Sequence, residues 1–103
     1  MVRPIGAGAR RETRTPEEAF GKALTELRVE RGITQEELAH KLGYHLSYIG
    51  QVERGLKSPT LRTVFNIADA FGISITSLLA RTEENLKRKA RALIRRNVRE
   101  NRS

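Results

Sequence analysis

Apolar residues recur at helical spacing from Phe20 to Leu79, in five blocks separated by glycines or short polar stretches. The first block, Phe20, Ala23, Leu24 and Leu27, predicts an amphipathic helix. Its start is marked by Thr15 and Glu18 at capping-box spacing, with Pro16 in the favoured first position, and Gly32 ends it. The second block, Leu38, Ala39 and Leu42, begins at Thr34 with Glu37 three residues on, and Gly43 supplies the left-handed residue that stops it. The third turns Ile49 and Val52 inward and closes at Gly55. A fourth helix is expected to start at Ser58–Pro59, to bury Leu61, Val64, Ile67, Ala68 and Phe71, and to stop at Gly72. The fifth follows Ser74 with Ile75, Leu78 and Leu79 inward. A narrower stripe, Leu86, Ala90, Leu93, Ile94 and Val98, predicts a further helix capped by Thr82. Nothing alternates with period two for long enough to suggest a strand. The pattern therefore predicts an all-α fold: a flexible arm over 1–14, five short helices over 15–81, and an additional basic C-terminal helix over 82–103.

The stretch Thr34–Gly55, TQEELAHKLGYHLSYIGQVERG, carries the most information. Counted from Gln35, Ala39 is fifth, Gly43 ninth, Ile49 fifteenth and Val52 eighteenth. A small residue is needed where two helices cross closely, a glycine where the backbone turns left-handed, and two branched apolar residues where the second helix seats on the core. That combination reads as a helix-turn-helix, whose second helix is shaped for the major groove of DNA. At 100° per residue, with Ile49 and Val52 inward, Ser47, Gly50, Gln51 and Arg54 form the outward row. Gln51 offers a donor and an acceptor together, which suits the N6/N7 edge of adenine. Ser47 can bond to most base edges or to phosphate, and Leu46 can meet a thymine methyl. Gly50 is expected to let the helix approach the duplex closely. Arg54, Lys57 and Arg62 follow into the next loop and helix, where phosphates should lie.

Charge supports a polyanionic partner. The chain has 103 residues and a formal net charge of +8. Residues 1–14 carry four arginines against Glu12, and residues 82–103 carry eight Lys/Arg against Glu83, Glu84 and Glu100, whereas 15–81 is neutral. A neutral core between two basic ends is the distribution expected of a nucleic-acid binder. Without cysteine there is no disulfide framework or thiolate metal site, which fits a cytoplasmic protein. No apolar run approaches the roughly 20 residues of a membrane helix, and no secretory leader is evident. His40 and His45 lack companions at metal-ligand spacing, and no nucleophile–base grouping suggests catalysis. No cofactor and no enzymatic activity are expected.

TQEELAHKLG, SYIGQVERG and SPTLRTVFNIADAFGISITSLL resemble the XRE family, whose fold is that of the lambda-type phage repressors. The resemblance covers about Glu17–Ala80. It implies five helices, with the second lying across the DNA backbone and the third in the major groove. It implies base contacts from His45, Leu46, Ser47 and Gln51, a phosphate contact from Gln35, and an ion pair between Arg28 and Glu53. Leu46 and Ser47 replace the longer polar side chains of well-studied phage repressors, so base readout is expected to be sparser and DNA shape to weigh more. The function expected is that of a sequence-specific DNA-binding transcriptional regulator, acting as a repressor, that binds a palindromic operator as a homodimer. The alternatives are an antitoxin that holds a toxin through its C-terminal helix while repressing its own operon, and a restriction–modification controller. The expected dimer surface lies around Ile75–Leu79.

Overall fold

A computed structural model describes residues 15–86. They form five helices: α1 Pro16–Glu30, α2 Gln35–Leu42, α3 Leu46–Glu53, α4 Leu61–Phe71, and α5, which occupies Ile75–Leu86. Leu24, Leu38, Ile49, Val52, Ile67 and Leu78 are the largest fully buried side chains, so all five helices contribute to one core. No single helix among the described residues is long and apolar enough to cross a membrane.

The expected caps are in place. Thr15 and Thr34 each accept a bond from the N–H three residues on, at 3.0 Å, and Glu18 and Glu37 return the bond to the cap N–H. Gly43 takes φ +75°, and its N–H and that of Tyr44 bond back into the last turn of α2. This left-handed residue folds the chain sharply enough for α3 to begin three residues later.

Four expectations are corrected. Thr60, not Ser58–Pro59, caps α4: its hydroxyl accepts from the Thr63 N–H and donates to the Thr63 hydroxyl, both at 3.1 Å. In this frame the third helical residue is Thr63, whose N–H donates to the Thr60 hydroxyl and whose own hydroxyl accepts from it. Leu61 is consequently the first residue of α4 and is 68% exposed, since helical side chains lean towards the N-terminus and carry it past the edge of the core. Leu79 is exposed as well, because Ile75, Leu78 and Asn85 form the inward row of α5. Thr82 caps nothing. Helix α5 runs through it, and its hydroxyl donates to the Leu78 carbonyl at 3.0 Å. Residues 1–14 and the remainder of the expected basic helix lie outside the described residues.

Polar contacts lock the helices in place. Asn85 Nδ2 donates to the Ala19 carbonyl, and Arg81 forms a two-pronged pair with Glu30, at 2.8 and 3.2 Å, so both fasten α5 to α1. The hydrogen bond from Arg81 holds the Glu30 carboxyl below its ordinary range. Arg31 donates to the Phe71 carbonyl at the end of α4 while its guanidinium stands over the Phe71 ring. Tyr44, in the turn between α2 and α3, meets Tyr48 edge-on, and its hydroxyl accepts from Asn66 Nδ2 at 3.0 Å and lies 3.3 Å from the Thr63 hydroxyl. Tyr44→Phe removes these bonds without changing the packing. The expected cost is about 1–2 kcal/mol, since Thr63 is buried, and the melting temperature should fall by at least several degrees. An unchanged melting curve would show that this network does not hold the turn to α4.

Candidate nucleic-acid interface

Helix α3 is only eight residues long, which is too short to be stable by itself, so its orientation comes from what it packs against. Ile49 and Val52 are buried in the core. Its C-terminal end lies directly on α1 at Gly21: a Cβ built there would stand 2.5 Å from the Val52 carbonyl oxygen and 2.7 Å from the Glu53 carbonyl carbon. At the same end Glu53 gathers three donors from two other helices. Arg28 Nε bonds Oε2 at 2.6 Å, Arg28 Nη2 bonds Oε1 at 3.2 Å, and Gln35 Nε2 bonds Oε1 at 2.8 Å. Arg28 also donates to the Ile33 carbonyl at 2.9 Å. The ion pair implied by the family resemblance is therefore present. Gln35 extends it into a junction of α1, α2 and α3, with the Glu53 side chain 5% exposed.

The junction also settles Gly50. The outward-row reading left it open to the groove, but it is buried. The Arg54 guanidinium would lie 3.1 Å from a Cβ at this position and the Gln35 carbonyl oxygen 4.0 Å away. The neighbour nearest Gly50 is thus the flexible tip of Arg54, with Gln35 at ordinary contact distance, which periodicity alone could not show.

The other sequence-derived residues fall as follows. His45 is the N-cap of α3, exposed, and makes no side-chain capping bond. Leu46 and Ser47 are exposed on the first turn, and Gln51 is half-buried one turn on. Among the described residues, no hydrogen bond engages the side chains of His45, Ser47 or Gln51. Arg54 and Lys57 are exposed at and beyond the C-terminal end of α3. Gln35 is half-buried with one amide N–H committed to Glu53, and the second N–H of that amide is available to another acceptor. Arg62 is exposed too, but on the outer face of α4 beside Leu61 and Phe65. Six of the eight lie in α3 or the residues flanking it, Gln35 joins them from α2 through Glu53, and Arg62 lies in the first turn of α4.

Sequence reasoning overlooked Gly21, Tyr44 and Asn66. Gly21 left a signal: a glycine inside an otherwise favourable helix costs about 1 kcal/mol relative to alanine, and close approach of another backbone offsets such a cost. No group of three His, Asp or Glu residues suited to a metal ion occurs among the described residues.

Comparison with known proteins agrees with this geometry. The cryptic phage CTXphi transcriptional repressor RstR of Vibrio cholerae is 36% identical over 76 residues, covering 74% of this chain and 68% of that protein. The structure of the clp gene regulator ClgR from Corynebacterium glutamicum superposes with a TM-score of 0.72 at 26% identity, covering 85% of this chain and 94% of that one. The restriction-modification controller protein C.AhdI from Aeromonas hydrophila gives a TM-score of 0.57 at 39% identity, over 59% of this chain and 92% of that one. The family model described as Helix-turn-helix, HTH_3, matches residues 24–78, more than half of the sequence, and the chain belongs to that family, as its XRE-like motifs implied.

Proposed function

We propose that this protein is a sequence-specific, DNA-binding transcriptional regulator of the cytoplasm that acts as a homodimer on a two-fold symmetric operator. The observation that carries the reading is the outer row of α3. His45, Leu46, Ser47 and Gln51 present unengaged polar and apolar groups on a helix whose other side is pinned by Gly21 and by the Arg28–Glu53–Gln35 junction. Recognition needs that rigidity, because a base contact mispositioned by an ångström loses its bidentate geometry. The likeness to a phage repressor and to a restriction–modification controller supports the same reading.

In this account Ser47 and Gln51 face base edges, with Leu46 against a thymine methyl and His45 at the groove edge. Gln51 presents its amide to adenine. Phosphates are met by Arg54 and Lys57 at one end of α3. At the other they are met by the second N–H of Gln35, together with the free backbone N–H groups that open α2. The basic stretches 1–14 and 87–103 add sequence-independent affinity that weakens as salt rises.

Gln51→Ala tests this directly. Discrimination between a selected operator and the same operator changed at one adenine per half-site should fall by about 1–3 kcal/mol, with little change in affinity for unrelated DNA. Competition binding at fixed salt measures both. Equal losses on operator and unrelated DNA would place Gln51 on the backbone and remove it from base readout.

A further inference from the structure

The outer face of α4 carries a pattern that the DNA-binding reading does not use. Leu61 and Phe65 are 68% and 48% exposed and lie one turn apart. Arg62 and Asp69 are also exposed, seven residues apart and so on nearly the same line of the helix, with half-buried Asn66 beside them. At 100° per residue these five side chains fall within about 140° of arc. By contrast, among the described residues of α5 the large apolar side chain that is exposed is Leu79.

Both charges sit at the wrong end of their own helix. Carboxylates stabilise a helix near its N-terminus and cations near its C-terminus. Helices α1 and α2 follow the rule, with Glu17, Glu18, Glu36 and Glu37 in first turns and Arg28, His40 and Lys41 in last turns. In α4 the order is reversed: Arg62 is in the first turn and Asp69 in the last. Neither side chain has a hydrogen bond or ion pair among the described residues.

A second α4 running antiparallel corrects both faults at once. The midpoint of Arg62 and Asp69 falls between Phe65 and Asn66, so a two-fold axis at that point sets each Arg62 beside the Asp69 of the other copy. Each arginine then lies along the negative end of its neighbour, and each aspartate along the positive end. Phe65 meets its own counterpart at the axis, and Leu61 flanks the seam at each end. This is the self-complementary surface that a two-fold dimer requires.

We propose that the chain homodimerises through antiparallel pairing of α4, with Phe65 at the axis and reciprocal Arg62–Asp69 ion pairs flanking it. The proposal rests on the dimeric-regulator reading and supplies its interface. It moves the seam from α5 to α4, and it withdraws Arg62 from the set of phosphate contacts.

The test is sedimentation equilibrium of the full chain without DNA, with circular dichroism melts to show that each variant is folded. The wild type should be dimeric in the low micromolar range. Arg62→Asp and Asp69→Arg should each weaken the dimer at least tenfold, because like charges then face each other at both ends of the seam. The double variant Arg62→Asp/Asp69→Arg should restore it. A monomeric wild type, as would follow if the chain's own residues 87–103 covered this face, overturns the proposal. So do single variants that stay dimeric, or a double variant that fails to recover. A dimer that obeys these rules but selects no DNA sequence would leave the seam standing and sink the regulator reading instead.

Discussion

Arg28→Ala should destabilise the domain by about 3–5 kcal/mol, and by more than Glu53→Ala does. The asymmetry follows from exposure. The Glu53 side chain is 5% exposed and, without Arg28, retains only the Gln35 amide, so a nearly buried carboxylate is left without a cation. The Arg28 side chain is 15% exposed and, without Glu53, still donates to the Ile33 carbonyl and reaches water. Chemical denaturation of both variants beside the wild type measures the difference. Folded domains are stable by only about 5–15 kcal/mol, so a loss of this size would leave Arg28→Ala marginal at room temperature. If Arg28→Ala melts like the wild type, the junction of α1, α2 and α3 does not hold the fold.

The second large effect is expected at Gly21. Alanine is the better helix former by about 1 kcal/mol, so a propensity argument makes Gly21→Ala stabilising. The geometry predicts the opposite. The new methyl group would stand within 2.5 Å of the Val52 carbonyl oxygen, and the obstacle is backbone on both sides, so no rotamer change relieves it. Helices α1 and α3 would have to separate, opening the core around Leu24, Ile49 and Val52. Overpacking of this kind costs about 1–3 kcal/mol and occasionally more; with backbone on both sides the upper end is expected, which exceeds the propensity gain. Because the displaced element is α3, operator affinity should fall before the fold is lost. A rise in melting temperature for Gly21→Ala would show that the two helices do not meet there.

These two sites mark where the sequence stops being informative. Helix starts and stops were legible because capping chemistry is local: Thr15 with Glu18, Thr34 with Glu37, and Gly43 each announce a terminus within a few residues. The frame slipped once, at α4, where Ser58 and Thr60 offered the same hydroxyl and the two bonds between Thr60 and Thr63 mark the cap that forms. Inward rows were legible in the middle of helices and failed at their edges. Leu61 overhangs the core, and Leu79 stands one residue past the inward row. Contacts between distant backbones were not legible at all. Gly21 differs from a tolerated glycine only through the α3 backbone that folding brings against it. The pairing of Arg28 with Glu53 came from the family resemblance. That Gln35 shares the same carboxylate came from the structure, and it shows that a residue expected to hold phosphate first holds α2 against α3.

The neutral centre of the chain bears on how specificity and affinity divide. Residues 15–81 carry no net charge, so on the proposed reading the folded domain would contribute shape and a short reading row, and the basic ends salt-sensitive attraction. On the proposed reading, with Ser47 and Gln51 as the main polar readers, one domain would specify few base pairs. A two-fold dimer would double that number, and its half-sites are expected roughly 34 Å apart, one turn of DNA, or a multiple of it.

Selection of bound sequences from a random duplex pool, with the full chain at near-physiological salt, tests the central claim most directly. The expected result is an enriched motif with two-fold symmetry, its half-sites in phase with the DNA helix and each containing an adenine whose enrichment disappears with Gln51→Ala. Tight, salt-sensitive binding that enriches no motif would contradict it.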